Sequence, residues 1–196
     1  MPTKEGIGGH VDDSAMQLGY GHKMLYPQMG GLDATGGLGA GAPLMGEIGT
    51  TGQAGLLMGA AGDVMYWTVL LKDLLIKKDR DVHARVHFCA LNEDTGIDWI
   101  ATILGIKAGD AITDAVSSPD GTIAFAAAAS IASHGWVATE YNSFRVPDKF
   151  DDDVALLVTV ECDSLGTTDA NEIKLLGLEL KYTLSLQDPS GVRRLT

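Results

Sequence analysis

Alternation of apolar and polar residues runs through the chain from about residue 63 onward. It is cleanest over residues 81–91, where Val82, Ala84, Val86, Phe88 and Ala90 fall on one side and His83, Arg85, His87 and Cys89 on the other. Successive side chains of a strand point to opposite faces, so this period of two predicts a strand with one buried and one wetter face. Residues 154–162 repeat the pattern, with Val154, Leu156, Val158, Val160 and Cys162 on one face. Residues 97–107 set Trp99, Ala101 and Ile103 against Ile100, Thr102 and Leu104. Residues 64–71 form a β-branched and aromatic run, which suits a pleated surface. Residues 136–146 predict a further strand, ended by Pro147, and residues 172–186 a last one with Leu176, Leu178, Leu180, Tyr182 and Leu184 on one face. Residues 122–132 start as strand and pass into an alanine run that favours helix, while 111–116 are short and ambiguous.

Polar turn signals separate these runs. In residues 117–121, Pro119 presets φ and Asp120-Gly121 suits positive φ, which predicts a turn. Seven or eight strands without a long helix predict an all-β chain, an antiparallel sandwich or barrel, and eight strands arranged as two Greek keys make a jelly roll.

Residues 1–62 break the pattern. They hold 17 of the 25 glycines and 6 of the 7 methionines. Glycine loses the most backbone entropy on ordering, and no helical or strand period survives its spacing here. The expected organisation is an extended Gly-rich N-terminal arm over residues 1–62, a jelly-roll β-sandwich over 63–187 and a short tail over 188–196. Spaced along the arm are Met16, Leu18, Met24, Leu25, Met29, Leu32, Leu44, Met45, Ile48, Leu56, Leu57 and Met58. Methionine and leucine between glycines suit adaptable anchoring to a protein surface, by groove binding or strand addition. These residues are the predicted protein-interaction positions; the plainer reading is a low-complexity spacer.

Charge narrows the partners. The 196 residues carry a net charge of −12, with −3 in the arm and −9 in the remainder. An acidic chain has no general attraction to nucleic acid or an anionic membrane. There is no apolar run of membrane-spanning length and no secretory leader pattern, so synthesis in a cytoplasm is expected. Cys89 and Cys162 sit in strand-like runs without a CxxC pair and read as buried free thiols.

Catalytic and metal signatures are weak. His83 and His87 share a face, but four residues of strand separate them by about 13 Å, too far for one ion. Ser133 and His134 are adjacent, so on a strand they point apart, and no Gly-x-Ser-x-Gly elbow is present. Asp151-Asp152-Asp153 lacks the ligand spacing of a calcium loop. The glycine run at Gly37–Gly41 has no preceding strand and no Lys-Ser/Thr closure, so it is no nucleotide fingerprint. No enzyme activity, cofactor or metal is expected.

Several stretches together carry a resemblance. They are Tyr66-Trp67, the strand Val82-His83-Ala84-Arg85-Val86-His87-Phe88, Trp99, Tyr141-Asn142-Ser143-Phe144-Arg145-Val146-Pro147, and Ile173-Lys174-Leu175-Leu176-Gly177-Leu178-Glu179-Leu180-Lys181-Tyr182. In this order they resemble the jelly-roll capsid decoration, or cement, proteins of tailed bacteriophages. The resemblance implies a structural virion protein on the outer surface of the head, clamping the phage major capsid protein and packing as a homotrimer or dimer. No binding residue transfers to a numbered position from it. The alternatives are a head-fibre base or tail component, and a carbohydrate-binding jelly roll in which Trp99, Trp136 and Tyr141 stack on sugars. A cupin-like enzyme would need clustered His/Glu ligands, which the sequence does not show.

Overall fold

The computed structural model describes residues 20–27, 31–33, 42–48, 53–74, 76–77, 80–90, 96–111, 116–125, 135–147, 150, 154–166 and 173–184. Eleven strands lie among them: β1 Tyr20–Leu25, β2 Leu44–Glu47, β3 Ala54–Met58, β4 Val64–Leu70, β5 Asp81–Ala90, β6 Ile97–Lys107, β7 Val116–Phe125, β8 Trp136–Ala138, β9 Asn142–Arg145, β10 Val154–Leu165 and β11 Ile173–Thr183. One sheet runs β2-β3-β11-β5-β8, with β1 also on β11 and β9 also on β5; the other runs β4-β10-β6-β7. All named pairs are antiparallel.

Strand order identifies the fold. If β8 and β9 count as one interrupted strand and the count starts at β3, the sheets read first-eighth-third-sixth and second-seventh-fourth-fifth. This is the interleaving of two Greek keys in a jelly roll. The inward faces are those the alternation predicts. Val82, Ala84, Val86 and Phe88 meet Trp99, Ala101 and Ile103, and Val154, Leu156, Val158, Val160 and Cys162 are all buried. Phe88 and Trp99 cross the interlayer space with ring centroids 5.3 Å apart.

Several strand assignments depart from the sequence expectation. The sandwich begins before Asp63: β3 lies on β11, and Leu56 and Met58 are fully buried. The segment expected to be a free arm also supplies β1 and β2, because its backbone donors find partners on β11 and β3. Trp67 Nε1 donates to the Tyr26 carbonyl at 2.8 Å, tying the end of β1 to β4 in the opposite layer. The turn expected at 117–121 is absorbed into β7 as an irregularity, where pairing with β6 skips from Thr102–Thr122 to Leu104–Ser117.

The strand expected over 136–146 is interrupted after Ala138. Thr139 fills the break: its hydroxyl accepts from Val86 N at 3.0 Å, and its own N–H donates to the Val86 carbonyl at 3.0 Å. In β11 a register shift between Leu175 and Gly177 re-phases the alternation. Ile173 and Leu175 face inward before it, and Leu178, Leu180 and Tyr182 after it, so Leu176 leaves the face predicted for it. Gly177 adopts φ 152°, and an added Cβ would lie 2.6 Å from the Leu25 carbonyl oxygen.

Two substitutions test this architecture. Leu56→Ala should cost about 2–5 kcal/mol, read as a shift of the denaturation midpoint; a surface-like loss below about 0.5 kcal/mol would show that β3 is not part of the core. Gly177→Ala should cost about 1–3 kcal/mol through backbone strain and should loosen β1, seen as faster amide exchange over residues 20–25.

Candidate functional site

The outward positions of β5 and β11 carry charge where the inward ones carry hydrocarbon. Directly opposed residues share a face, so the pairings Lys181–His83, Glu179–Arg85 and Gly177–His87 line up across the centre of the seven-stranded sheet. Strand β1 adds His22 beside Lys181, and β9 adds Ser143 beside His83. Trp136 opens β8, and Tyr141 lies in the break just before β9.

Glu179 is the centre of this surface. Its Oε1 accepts from His22 Nδ1 at 3.0 Å and from the Tyr141 hydroxyl at 2.9 Å. Its Oε2 accepts from Arg85 Nε at 2.7 Å and from His87 Nε2 at 2.8 Å. A carboxylate offers about four lone-pair positions, so these four donors saturate it. Burial works against the ionised form, but the donors His22, Arg85, His87 and Tyr141 outweigh it and hold the carboxyl down at about 2. The Tyr141 hydroxyl is pushed up, by burial first and then by its bond to Glu179.

The hydrogen bonds also settle a tautomer. Trp136 Nε1 can only donate, and it lies 3.1 Å from His87 Nδ1. His87 therefore accepts at Nδ1 and carries its proton on Nε2, facing Glu179, as a neutral imidazole. The Trp136 and His87 rings stack at 5.5 Å with an interplanar angle of 15°. One face of the indole is thus covered, while Trp136 as a whole is 68% exposed. Tyr20 is 54% exposed and Tyr141 36%. The Arg85 guanidinium sits 4.6 Å from the Tyr141 ring centroid, and Lys181 Nζ lies 5.1 Å from that of Tyr20 and 5.7 Å from that of Tyr141. The result is a polar surface with its side chains fixed in place and aromatic rings at its margin.

The predicted interaction residues do not gather into one surface. Leu25, Leu56 and Met58 are buried in this chain's own core, which corrects the expectation that they are free to anchor a partner: each lies on the inward face of a strand added to the sheet. Met24, Leu32, Ile48 and Leu57 are half-buried; Leu32 bridges Val64, and Ile48 N donates to the Gln53 carbonyl. Leu44 and Met45, on β2, are exposed at 63% and 39%. Met16, Leu18 and Met29 lie outside the described residues, as do Ser133, His134, Asp151–Asp153 and Gly37–Gly41.

Trp99 is fully buried and belongs to the core, unlike Trp136 and Tyr141. Cys89 and Cys162 are free, buried thiols on opposite sheets. Burial, reinforced by nearby carboxylates, pushes the Cys162 thiol up to about 12, so it is no ready nucleophile. Among the described residues, no group of three or more His, Cys, Asp or Glu side chains is placed to hold a metal ion. No described helix is long and apolar enough to cross a membrane. Sequence reasoning placed His83, Arg85 and His87 on the wetter face but missed Glu179 as their hub. Its one signal was a lone acid in the apolar run Leu175–Leu180.

No known protein family matches the sequence, and no curated protein does. Among solved structures, the chain is similar to the CBM35 of Cellvibrio japonicus Abf62, with 12% identity and a TM-score of 0.47 over 84% of this chain and 99% of that one. It is also similar to the CBM22-1 xylan-binding domain of Paenibacillus barcinonensis Xyn10C, with 14% identity and a TM-score of 0.40 over 83% and 96%. Likenesses this distant carry no inference about what this chain binds, and none of these structures is a virion protein. The jelly-roll assignment rests on the strand order.

Glu179 should contribute to stability through its charge. Glu179→Gln should lower stability at pH 7 by about 1–3 kcal/mol. A carboxyl held below its ordinary value stabilises the fold above that value, and this contribution is lost as pH falls through the folded-state value. The gap between the wild type and the variant should therefore be full above pH 4.5 and close toward pH 2. Equal denaturation midpoints at pH 7, or a gap independent of pH, would rule out this role.

Proposed function

We propose that this protein is a non-catalytic binding module that recognises carbohydrate on the outer face of its seven-stranded sheet. The observation that carries the reading is the exposed ring of Trp136, stacked on His87 and flanked by side chains already fixed around Glu179. A sugar presents an apolar ring face and a rim of hydroxyls. It is matched by an exposed indole beside donors and acceptors that need no reorganisation on binding. The saturated Glu179 suits this role better than acid–base work, since it has no free lone pair to take a substrate proton.

A second reading is the virion decoration role, in which the chain clamps the phage major capsid protein, alone or as a homotrimer. It is supported by the sequence resemblance and by one structural feature, the exposed Leu44 and Met45 of β2 at the end of the seven-stranded sheet. An edge strand with exposed apolar side chains suits strand addition to another protein. The two readings use different surfaces and are compatible in one molecule, with the edge docked and the sheet face presented outward.

Two measurements separate them. Dose-dependent binding of the full chain to a glycan array, weakened at least about tenfold by Trp136→Ala with little change in melting temperature, is the expected result for carbohydrate recognition. A flat array would overturn it. For the decoration role, Leu44→Asp with Met45→Asp should abolish co-sedimentation with phage heads, and undiminished occupancy would exclude β2 as the contact.

A further inference from the structure

The sheet face that carries Trp136 is basic, although the chain as a whole is strongly acidic. Fourteen Lys and Arg residues are outnumbered by 26 Asp and Glu, giving a net charge of −12. Yet His22, Lys181 and His83 stand side by side across β1, β11 and β5, one opposite the next. Arg85 follows on β5. The central carboxylate, Glu179, is consumed by His22, Arg85, His87 and Tyr141. At the rim, Asp81 is taken by Arg145 at 3.3 Å. Among the described residues Lys181 meets no carboxylate: its ammonium is held over the rings of Tyr20 and Tyr141. Among the described residues, His83 makes an edge contact with Tyr141, at 6.4 Å between centroids.

Lys181 carries the fixed positive charge of this row, and an anion laid against it would also accept a hydrogen bond from the neighbouring His83 imidazole. The row lies four strand residues from the Trp136–His87 stack, about 13 Å at ordinary strand rise. That spacing suits a ligand longer than one sugar, with a ring at Trp136 and an acidic group at Lys181.

We infer that the carbohydrate recognised on this face is an acidic saccharide, whose carboxylate or sulfate is taken by Lys181 and His83 while a neighbouring sugar ring packs on Trp136. This rests on the carbohydrate reading above and adds the ligand's charge to it. Binding is charge-assisted at one end and carried by stacking at the other, so it weakens with salt without vanishing.

The test is an array that pairs uronate-, sialate- and sulfate-bearing oligosaccharides with their uncharged counterparts, probed with the full chain. The paired arms also tell a carboxylate from a sulfate. At least one acidic member should bind about tenfold or more tightly than its counterpart, since a hydrogen bond to a charged group is worth about that factor. Lys181→Gln should collapse that ratio toward one in a chain whose circular dichroism is unchanged, and His83→Gln should reduce it. Binding to uncharged members as tight as to acidic ones would overturn the inference and leave the carbohydrate reading standing. A ratio that survives both substitutions would overturn the assigned residues. Binding to no member would overturn both.

Discussion

The register shift at Gly177 is the constraint on which both faces of the seven-stranded sheet depend. Before it, Ile173 and Leu175 point into the sandwich. Without the extra residue, strict alternation would continue through positions 177, 179 and 181, turning Glu179 and Lys181 into the core and Leu178, Leu180 and Tyr182 toward solvent. The bulge reverses this. Glycine is suited to the position because its φ of 152° and the Leu25 carbonyl oxygen leave no room for a Cβ. The same position divides the edge of β11 between two short partners, β3 before it and β1 after it.

Once Glu179 faces outward, it fastens three other parts of the chain. His22 comes from β1, Arg85 and His87 from β5, and Tyr141 from the break between β8 and β9. Each bond is charge-assisted, so the carboxylate remains ionised despite its burial. Rigidity is the product: the Tyr141 ring is held by its hydroxyl, and the Trp136 ring is held by His87. Preorganised rings and donors lower the ordering cost of a ligand, which is why the arrangement suits recognition.

Much of the fold was legible in the chain. The period of two over 81–91, 97–107 and 154–162 named the inward residues, because burial on one face of a strand leaves a direct imprint on sequence. Cys162 was legible as a buried thiol for the same reason, whereas Cys89 is buried although it stands on the face predicted to be wetter. The N-terminal segment was not. Glycine spacing hides strand period, and β1, β2 and β3 are strands because partners elsewhere accept their backbone hydrogen bonds, not because of local propensity. The expectation of free anchors at Leu25, Leu56 and Met58 failed on this point. The interruption at Thr139 was equally hidden, since it depends on a hydroxyl meeting Val86 N across 53 residues of sequence.

The sequence by itself determined that the chain is all-β, which strand faces are apolar, and that its bulk charge disfavours polyanionic partners. These are local or additive properties, set by alternation and composition. Only the tertiary structure decided which outward side chains meet. Residues 22, 85, 87, 136, 141 and 179 are scattered along the chain, and strand order and register bring them to one face. The register in turn rests on one bulge, so a local basic surface could arise on an acidic protein without any local run of basic residues to announce it.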